Sequence, residues 1–380
     1  MQTGWSQAYA IATTAPKPLP PEPVPAEAAT GRVLAAPLEA ARPVPAFDTA
    51  AMDGYAVTGP APWRVTGQLL AGPPPPIRLS TGVAVEIATG AVVPAGVEAV
   101  LPYEDSRLEG GHVTGELGPR RHIRRAGEDV RPGDVLVAEG RTVNATIAAA
   151  AVQAGAGRLV VHRLPSVTLL VTGNEVIDCG VPGPGQVRDS FTGLVTAIVA
   201  RAGAGPLTRR HVRDVAALLE SEVAAAGTDV VVVSGSSSAG AADHLHGVLG
   251  RLGATWHVRG VACRPGHPQA LAELPDGRWV VSLPGNPLAG LVAALTLLEP
   301  LLGALAGRPP AALPEVPVHG QAKLLPTGVR IVPVHHAAAG WHITAPTSSA
   351  GLHIAAVSDA LAVLPPTWTD GAPAPLLALP

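Results

Sequence analysis

Three loops in the second half of the chain combine the residue types that bind phosphates and oxyanions. They are residues 172–175 (TGNE), 235–240 (GSSSAG) and 284–287 (PGNP). Glycines let backbone N–H groups approach an anion without obstruction by a side chain, and serine hydroxyls add further donors. A Gly/Ser loop after a strand is more often a plain turn, so the second loop alone is weak evidence for a ligand site.

Each of these loops follows an apolar stretch that should position it. The valine run 230–233 is short and wholly apolar, which predicts a strand covered on both faces. Further strands are predicted at 167–171 and 279–282, with helices at 190–201 and 288–298. Strands that alternate with helices indicate βαβ units and a parallel sheet, which binds ligands at the carboxyl ends of its strands. We therefore expect the three loops to converge on one crevice.

Composition excludes several classes of protein. A chain of 380 residues with 47% hydrophobic content predicts more than one domain with real cores, and a net charge of −3 offers no basic surface for nucleic acid or acidic membranes. Cys179 and Cys263 show no disulfide or metal spacing, which fits a reducing compartment. The start lacks a secretory signal, and the apolar run 288–298 should end at Glu299 and Pro300, too short to span a bilayer. We expect a soluble cytoplasmic protein.

Acidic residues also occur in the first half, where their role is ambiguous. Asp48 and Asp53 flank small residues in FDTAAMDGYAV, and Thr89 lies near a predicted turn. They are either solvated loop residues or part of an active site or metal site. Asn144 is predicted to cap an alanine-rich helix that reaches Gln153.

Eight motifs in one order carry a family resemblance. They are FDTAAMDGYAV, ATGAVVPAGVEAVLPYED, GEDVRPGDVL, TGNEV, GQVRDS, VVSGSSSAGAADH, RPGHP and LPGNPLAGLV. In order and approximate spacing the chain resembles molybdopterin molybdenumtransferases, which are related to the E domain of gephyrin. The resemblance implies insertion of molybdate into adenylyl-molybdopterin with release of AMP, using Mg²⁺. It also implies a homodimer, and as partners the preceding adenylyltransferase and acceptor molybdoenzymes.

The resemblance and the patterns together predict an α/β multidomain fold. Its parts are an elongated N-terminal domain (1–47 and 125–165), an inserted β-rich domain (48–124), a doubly wound molybdopterin-binding domain (166–306) and a C-terminal β-domain (307–380).

The resemblance also assigns site residues. Those implied as catalytic are Asp53, Thr89, Glu175, Asp189 and Asp243, with Asp53 and Thr89 contributed by the neighbouring subunit. Those implied as metal ligands are Glu175, Asp189 and Asp243. Those implied to bind the pterin nucleotide or molybdate are Gly173, Asn174, Ser190, Asp214, Gly235, Ser236, Ser238, Gly240, Arg264, Gly266, His267, Pro284, Gly285, Asn286, Arg330 and Ser349.

Four motifs depart from the family pattern. SGGVS reads SGSSS, so Ser236 replaces a glycine; TGDE reads TGNE, with the neutral Asn174; DSN reads DSF, with Phe191. KPGKP reads RPGHP, so Arg264 keeps a charge that His267 mostly does not. An active insertase therefore has an alternative, a paralogue that binds molybdopterin or a partner protein without turnover. An unrelated nucleotide-binding α/β protein, the preference for molybdate or tungstate, and a second gene copy with the main activity also stay open.

Overall fold

The chain forms two compact units in a computed structural model that describes residues 2–73, 76–235, 244–345 and 350–380. The larger unit contains Met1–Glu22, Gly31–Ala35 and Val161–Pro380, and the smaller contains Pro23–Thr30 and Ala36–Val160. The boundaries of the four predicted domains stay a prediction.

A six-stranded sheet, called here the α/β sheet, organises the larger unit. Its strands in spatial order are Leu207–Val212, Val167–Thr172, Val230–Ser234, Trp279–Leu283, Ala270–Glu273 and Thr255–Arg259. The first four are parallel and the last two join antiparallel. The three predicted strands are confirmed. The other three were missed because charged or polar residues interrupt their apolar pattern.

Helices cover both faces of the α/β sheet. Val230 and Val232 belong to one core, which also contains residues of the helices Trp5–Thr14 and Phe191–Arg201. Val231 and Val233 belong to a second core on the other face, with the helices Ala216–Ala225 and Leu245–Arg251. Successive strand residues point to opposite faces, so a strand buried on both sides is apolar throughout. The predicted doubly wound α/β fold is confirmed.

The helical run Pro287–Leu305 continues beyond the predicted end. Pro287–Ala293, the π-helical turn Ala294–Leu298 and Glu299–Leu305 follow one another, so the prediction that Glu299 and Pro300 end the helix is wrong. Proline lacks an N–H and its ring collides with the carbonyl four residues earlier; the wider π-helical turn before Pro300 relieves that conflict. By length and composition this run could cross a membrane, with mean hydropathy 2.0, but 89% of its most apolar window is buried in the fold.

A second sheet, called here the C-terminal sheet, follows in the larger unit. Its strands in spatial order are Thr3–Gly4, Val261–Arg264, Val329–Ala337, Gly340–Ile343, Glu315–His319, Pro373–Ala378 and Ala360–Leu364. The last strand also pairs with Val329–Ala337, which closes part of the sheet on itself. Val318, Val334 and Trp368 lie in the core that this curvature encloses. A short helix, Leu352–Ala355, precedes the last two strands in sequence.

The smaller unit is rich in short strands. Its main sheet contains, in spatial order, Ala99–Pro102, Gly54–Val57, Val83–Ile87, Trp63–Leu69, His112–Gly115 and Ser106–Glu109. The remaining short elements belong to this unit or cross its limits in the sequence. They are Pro21–Pro25, Ala26–Ala28, Leu38–Glu39, Thr49–Ala50, Tyr103–Asp105, Ile123–Arg124, Val135–Val137 and Arg158–His162. The helix Ala145–Gln153 begins as predicted, because Asn144 Oδ1 accepts a hydrogen bond from the Ile147 N–H at 2.9 Å.

Candidate active-site cavity

A cavity of about 660 Å³ lies at the carboxyl edge of the α/β sheet. Its lining comes from all three predicted loops and from the segment before the helix Phe191–Arg201. The predicted site residues that line it are Glu175, Asp189, Ser190, Gly235, Pro284, Gly285 and Asn286.

Backbone contacts hold the strand ends close together at this edge. Thr172 Oγ1 donates to the Ser234 carbonyl at 2.7 Å, and the Gly235 N–H donates to the Leu283 carbonyl at 3.0 Å. Gly235 has φ +95°, and a Cβ there would lie 2.9 Å from the Thr172 carbonyl oxygen. A Cβ on Gly285 would lie 3.3 Å from the Gly235 Cα. Glycine is therefore required for the two loops to approach each other.

Glu175 presents an exposed carboxylate to the cavity. The carboxylate lies over Gly173, where an added Cβ would be 2.7 Å from Oε2. Among the residues that the structure describes, no side chain or backbone N–H donates to this carboxylate. Its oxygens are available to a cation or a hydrogen-bond donor on a ligand.

Asp189 also lines the cavity, but its oxygens already have partners. Oδ1 accepts from the N–H groups of Phe191 at 2.8 Å and Thr192 at 3.1 Å, and Oδ2 accepts from the Thr192 hydroxyl. Burial opposes ionisation of Asp189, yet these hydrogen bonds and the charge of Arg209 outweigh it and lower the pKa. The negative charge of Asp189 is also stabilised by the positive N-terminal end of the helix that begins at Phe191.

Arg209 contacts a residue that lines the cavity, and sequence reasoning missed it. Its Nη2 lies 3.2 Å from Asp189 Oδ2 and also pairs with Asp178, which lowers the pKa of Asp178. It is supplied by the edge strand Leu207–Val212. Thr208 and Val212 have residue types that favour a strand and could have indicated one, but the charged residues between them interrupt the pattern.

Asn174 and Asp214 face each other beside the cavity. The Asn174 N–H donates to Asp214 Oδ2 at 3.2 Å, and the Asp214 N–H donates to Asn174 Oδ1 at 3.3 Å. The His211 ring nitrogen Nε2 lies 2.8 Å from the Gly173 carbonyl oxygen, next to this pair. These contacts join the turn after one strand to the turn after its neighbour, and thereby hold the Gly173–Glu175 segment in place.

Phe191 gives the cavity an apolar wall. It is 8% exposed, and a Cβ on Gly290 would lie 2.1 Å from its ring. Gly290 therefore makes room for an aromatic ring where the family motif has asparagine. This contact was not anticipated, because the partner lies about a hundred residues away in the chain.

Two residues predicted to bind the pterin nucleotide or molybdate lie on neighbouring strands of the C-terminal sheet. Arg264 and Arg330 are directly opposite each other on parallel strands. The turn that follows Arg264 packs against the core helix at Gly266, where a Cβ would be 3.1 Å from Val292 Cγ1. His267 is exposed in that turn, and its carbonyl accepts from the Val261 N–H at 2.9 Å. Pro268 in the same turn lines the cavity.

Asp53 and Thr89 lie together in the smaller unit. Asp53 Oδ1 accepts from the Thr89 N–H at 2.6 Å and from its hydroxyl at 2.9 Å, which lowers the pKa of Asp53. The structure thus pairs these two residues, while their contribution to a neighbouring subunit's site stays a prediction.

Five predicted site residues lie outside the described part of the chain: Ser236, Ser238, Gly240, Asp243 and Ser349. Within residues 2–73, 76–235, 244–345 and 350–380, no three His, Cys, Asp or Glu side chains are already grouped to hold a metal ion. The predicted metal set of Glu175, Asp189 and Asp243 stays a prediction.

The fold and the cavity define a ligand-binding α/β protein with additional β-structure. Residues 4–155 match the family model "MoeA N-terminal region (domain I and II)", and residues 168–304 match "Probable molybdopterin binding domain". A molybdopterin molybdenumtransferase from Nostoc sp. is 33% identical over 74% of this chain and 68% of its own length. One from Synechococcus elongatus is 34% identical over 77% of both chains. The chain belongs to the molybdopterin molybdenumtransferase family, whose members are transferases of molybdenum cofactor biosynthesis.

Solved structures agree with this assignment. The molybdopterin biosynthesis moeA protein from Pyrococcus horikoshii aligns over 100% of both chains with a TM-score of 0.83 and 25% identity. A second structure under that name aligns over 99% of both chains with a TM-score of 0.70 and 19% identity, which supports the fold.

Proposed function

We propose that this chain inserts molybdate into adenylyl-molybdopterin and releases AMP. The observation that carries the proposal is the cavity at the carboxyl edge, where the free Glu175 carboxylate stands among glycine turns. Its volume of about 660 Å³ is within the range of small-molecule sites. The close-packed Gly235 and Gly285 leave backbone atoms accessible to a phosphate.

The donor set of the cavity fits Mg²⁺. This ion is commonly held by one or two carboxylates, with phosphate oxygens of the substrate and water completing its coordination. Glu175 is the carboxylate available for that role. Magnesium would supply charge neutralisation at the phosphoanhydride that is broken. The saturated contacts of Asp189 support a different role for it, which is to hold Arg209 next to the residues that line the cavity.

The paired arginines suggest where molybdate binds. Guanidinium groups donate several hydrogen bonds in a fixed geometry that suits oxyanions, and Arg264 and Arg330 lie side by side. The exposed His267 follows Arg264 in the same turn. We include all three in the proposed molybdate site, together with Ser349 from the family resemblance.

The primary test follows AMP release by the purified protein with adenylyl-molybdopterin, Mg²⁺ and molybdate. We expect AMP release by the wild type and a loss of at least about 100-fold in Glu175→Gln. Glu220→Gln is a matched control, because Glu220 is a surface carboxylate that pairs with Arg251; it should retain activity. Wild-type protein that yields no AMP above a blank would favour the paralogue that binds without turnover.

The proposal extends to a homodimer with a shared site. If Asp53 and Thr89 act in the cavity of a neighbouring subunit, Asp53→Ala and Glu175→Gln proteins should each be inactive alone. Mixing them should restore part of the AMP release, because some hybrid dimers contain one intact site. Subunit exchange without recovery of activity would contradict a shared site. The proposed location is the cytoplasm, between the adenylyltransferase that supplies the substrate and the molybdoenzymes that accept the product.

A further inference from the structure

Three histidines lie in a straight row across three neighbouring strands of the C-terminal sheet. His342 is on the middle strand, Gly340–Ile343, and is directly opposite His319 on one side and His335 on the other. The ring centroids are 5.4 Å apart for His319 and His342, and 6.0 Å apart for His335 and His342. We call these three residues the histidine row.

The histidine row occupies one face of the sheet. Val318, Val334 and Trp341, which precede His319, His335 and His342 in sequence, pack in or against the core on the opposite face. All three histidines are only partly buried, so solvent reaches them. The next histidine, His336, is on the other face, where the centroid of its ring is 5.2 Å from that of Trp341.

The two outer histidines have partners for Nδ1. His319 Nδ1 lies 3.5 Å from Asp370 Oδ1, an oxygen that also accepts from the Gly320 N–H at 2.9 Å. His335 Nδ1 lies 3.3 Å from Thr344 Oγ1. Histidines that bind metals commonly engage their second nitrogen with a carboxylate or another oxygen, which fixes the ring and its tautomer. Within the part of the chain that the structure describes, Nε2 of both outer rings has no hydrogen-bond partner, which leaves it for a ligand.

We propose that the histidine row binds one divalent transition-metal ion of the Zn²⁺, Ni²⁺ and Cu²⁺ class. His319 and His342 are the first two ligands through Nε2, and His335 is the third. With metal–nitrogen distances of about 2.0–2.1 Å, two imidazoles on a tetrahedral ion have centroids about 5 Å apart, close to the separation of His319 and His342. The described residues contain no preformed group of three ligands, so on binding the His335 ring gives up its contact with Thr344 and turns toward the ion.

Imidazole nitrogens distinguish this site from the proposed magnesium site. Neutral imidazole suits zinc, nickel and copper, whereas magnesium prefers carboxylate and phosphate oxygens. The proposal therefore does not depend on the function of the cavity, and binding to the histidine row should persist without molybdopterin or Mg²⁺.

Calorimetric titration with ZnCl₂ or NiCl₂ tests the proposal on the full chain after removal of metals by chelation. A Cys179→Ser background removes the exposed thiol as a competing ligand. We expect one equivalent to bind, and His342→Gln to weaken that binding at least about 10-fold. His336→Gln is the matched control, because it changes a neighbouring histidine on the other face; it should leave the affinity unchanged. Equal affinity in the background protein and His342→Gln, or no binding at all, would overturn the proposal.

A second measurement guards against a folding defect. His319→Gln changes a residue at the end of its strand with a side chain that is 41% exposed, and circular dichroism would verify its fold. We expect weaker binding here as well. With Cu²⁺ as the probe, electron paramagnetic resonance should report coupling to at least two nitrogens in the background protein and to fewer in His342→Gln. A spectrum without nitrogen coupling would contradict the assignment.

Discussion

Asp229 and Asp189 make similar contacts at opposite edges of the α/β sheet. Asp229 precedes the central strand and accepts from Arg163 at 2.6 and 2.9 Å and from the N–H and hydroxyl of Ser166 at 2.8 and 2.7 Å. Asp189 likewise accepts from an arginine, a hydroxyl and backbone N–H groups. In both cases burial opposes ionisation, but the hydrogen bonds prevail and the pKa is lowered.

The difference between them lies in what surrounds the contacts. Asp229 joins the starts of two strands at the amino edge, away from the cavity lining. Asp189 lines the cavity at the carboxyl edge and pairs with Arg209. Ligands of open α/β sheets bind at the carboxyl ends of the strands. The same kind of hydrogen-bonded aspartate therefore stabilises the fold at the amino edge and belongs to the candidate site at the carboxyl edge. A lowered pKa alone does not distinguish these roles.

The largest expected effect is a difference in AMP release between variants of the two aspartates. Asp189→Asn should lower kcat/KM for AMP release about 100-fold, because a carboxylate that lines the cavity loses its charge and Arg209 keeps only its pair with Asp178. Asp229→Asn should remain within about twofold of the wild type per folded molecule. Steady-state AMP assays on samples of verified fold would measure both. Equal losses in the two variants would contradict the division between the edges.

The effect on folding stability, in contrast, should be clear in Asp229→Asn. Asp229→Asn should lower the free energy of unfolding by about 2 kcal/mol at pH 7, since Arg163 loses its partner in a partly buried pair. Urea titration followed by circular dichroism would measure it. Asp276→Asn provides a control, because that aspartate pairs with Arg278 but is 54% exposed. A loss for Asp276→Asn as large as that for Asp229→Asn would show that partial burial does not set the cost.

Acid should remove the stabilisation by Asp229. A carboxylate whose pKa is lower in the folded state stabilises the fold fully above the unfolded pKa of about 3.9, and this contribution is lost as pH falls through the folded value. The difference in urea midpoint between the wild type and Asp229→Asn should therefore be larger at pH 7 than at pH 3. A difference that is constant with pH would indicate that the ionised carboxylate is not its source.

Much of the α/β architecture could be predicted from sequence because strands buried on both faces are continuous apolar runs. Val230–Ser234 was recognised for that reason, and the glycine turns at its end indicated the crevice. The edge strand Leu207–Val212 carries two adjacent arginines, one partly buried and one exposed, so neither the strand nor Arg209 was anticipated. The continuation of the core helix through Pro300 was missed because a proline normally ends a helix, and only the π-helical turn permits it here.

The candidate site was predictable only where chemistry is local. Glycine turns and acids are visible in the sequence, and the ordered motifs indicated which of them to choose. Contacts between distant segments were not visible. Phe191 was noted as a departure from the family motif, but its packing on Gly290 depends on how two helices meet in the fold. The histidine row was missed for the same reason, since strand register brings together residues from three separate segments.

The smallest effect is expected at Asn174, which tests whether a departure from the family motif matters. Asn174→Asp keeps an acceptor for the Asp214 N–H and keeps the backbone donor to Asp214 Oδ2. It also brings a second negative charge close to Asp214, but residue 174 is exposed and Asp214 is only partly buried, so water screens their repulsion. We expect AMP release within about threefold of the wild type and a change in unfolding free energy below about 0.5 kcal/mol.

Asp214→Asn in the same background makes the Asn174 experiment decisive. If repulsion is the only cost of Asn174→Asp, the second change should restore wild-type stability, because one carboxylate again faces one amide. A large loss of AMP release in Asn174→Asp that Asp214→Asn does not repair would show that the neutral residue is required at the cavity rim. The two turns would then do more than hold Glu175 in place, and the departure at Asn174 would be part of the active site itself.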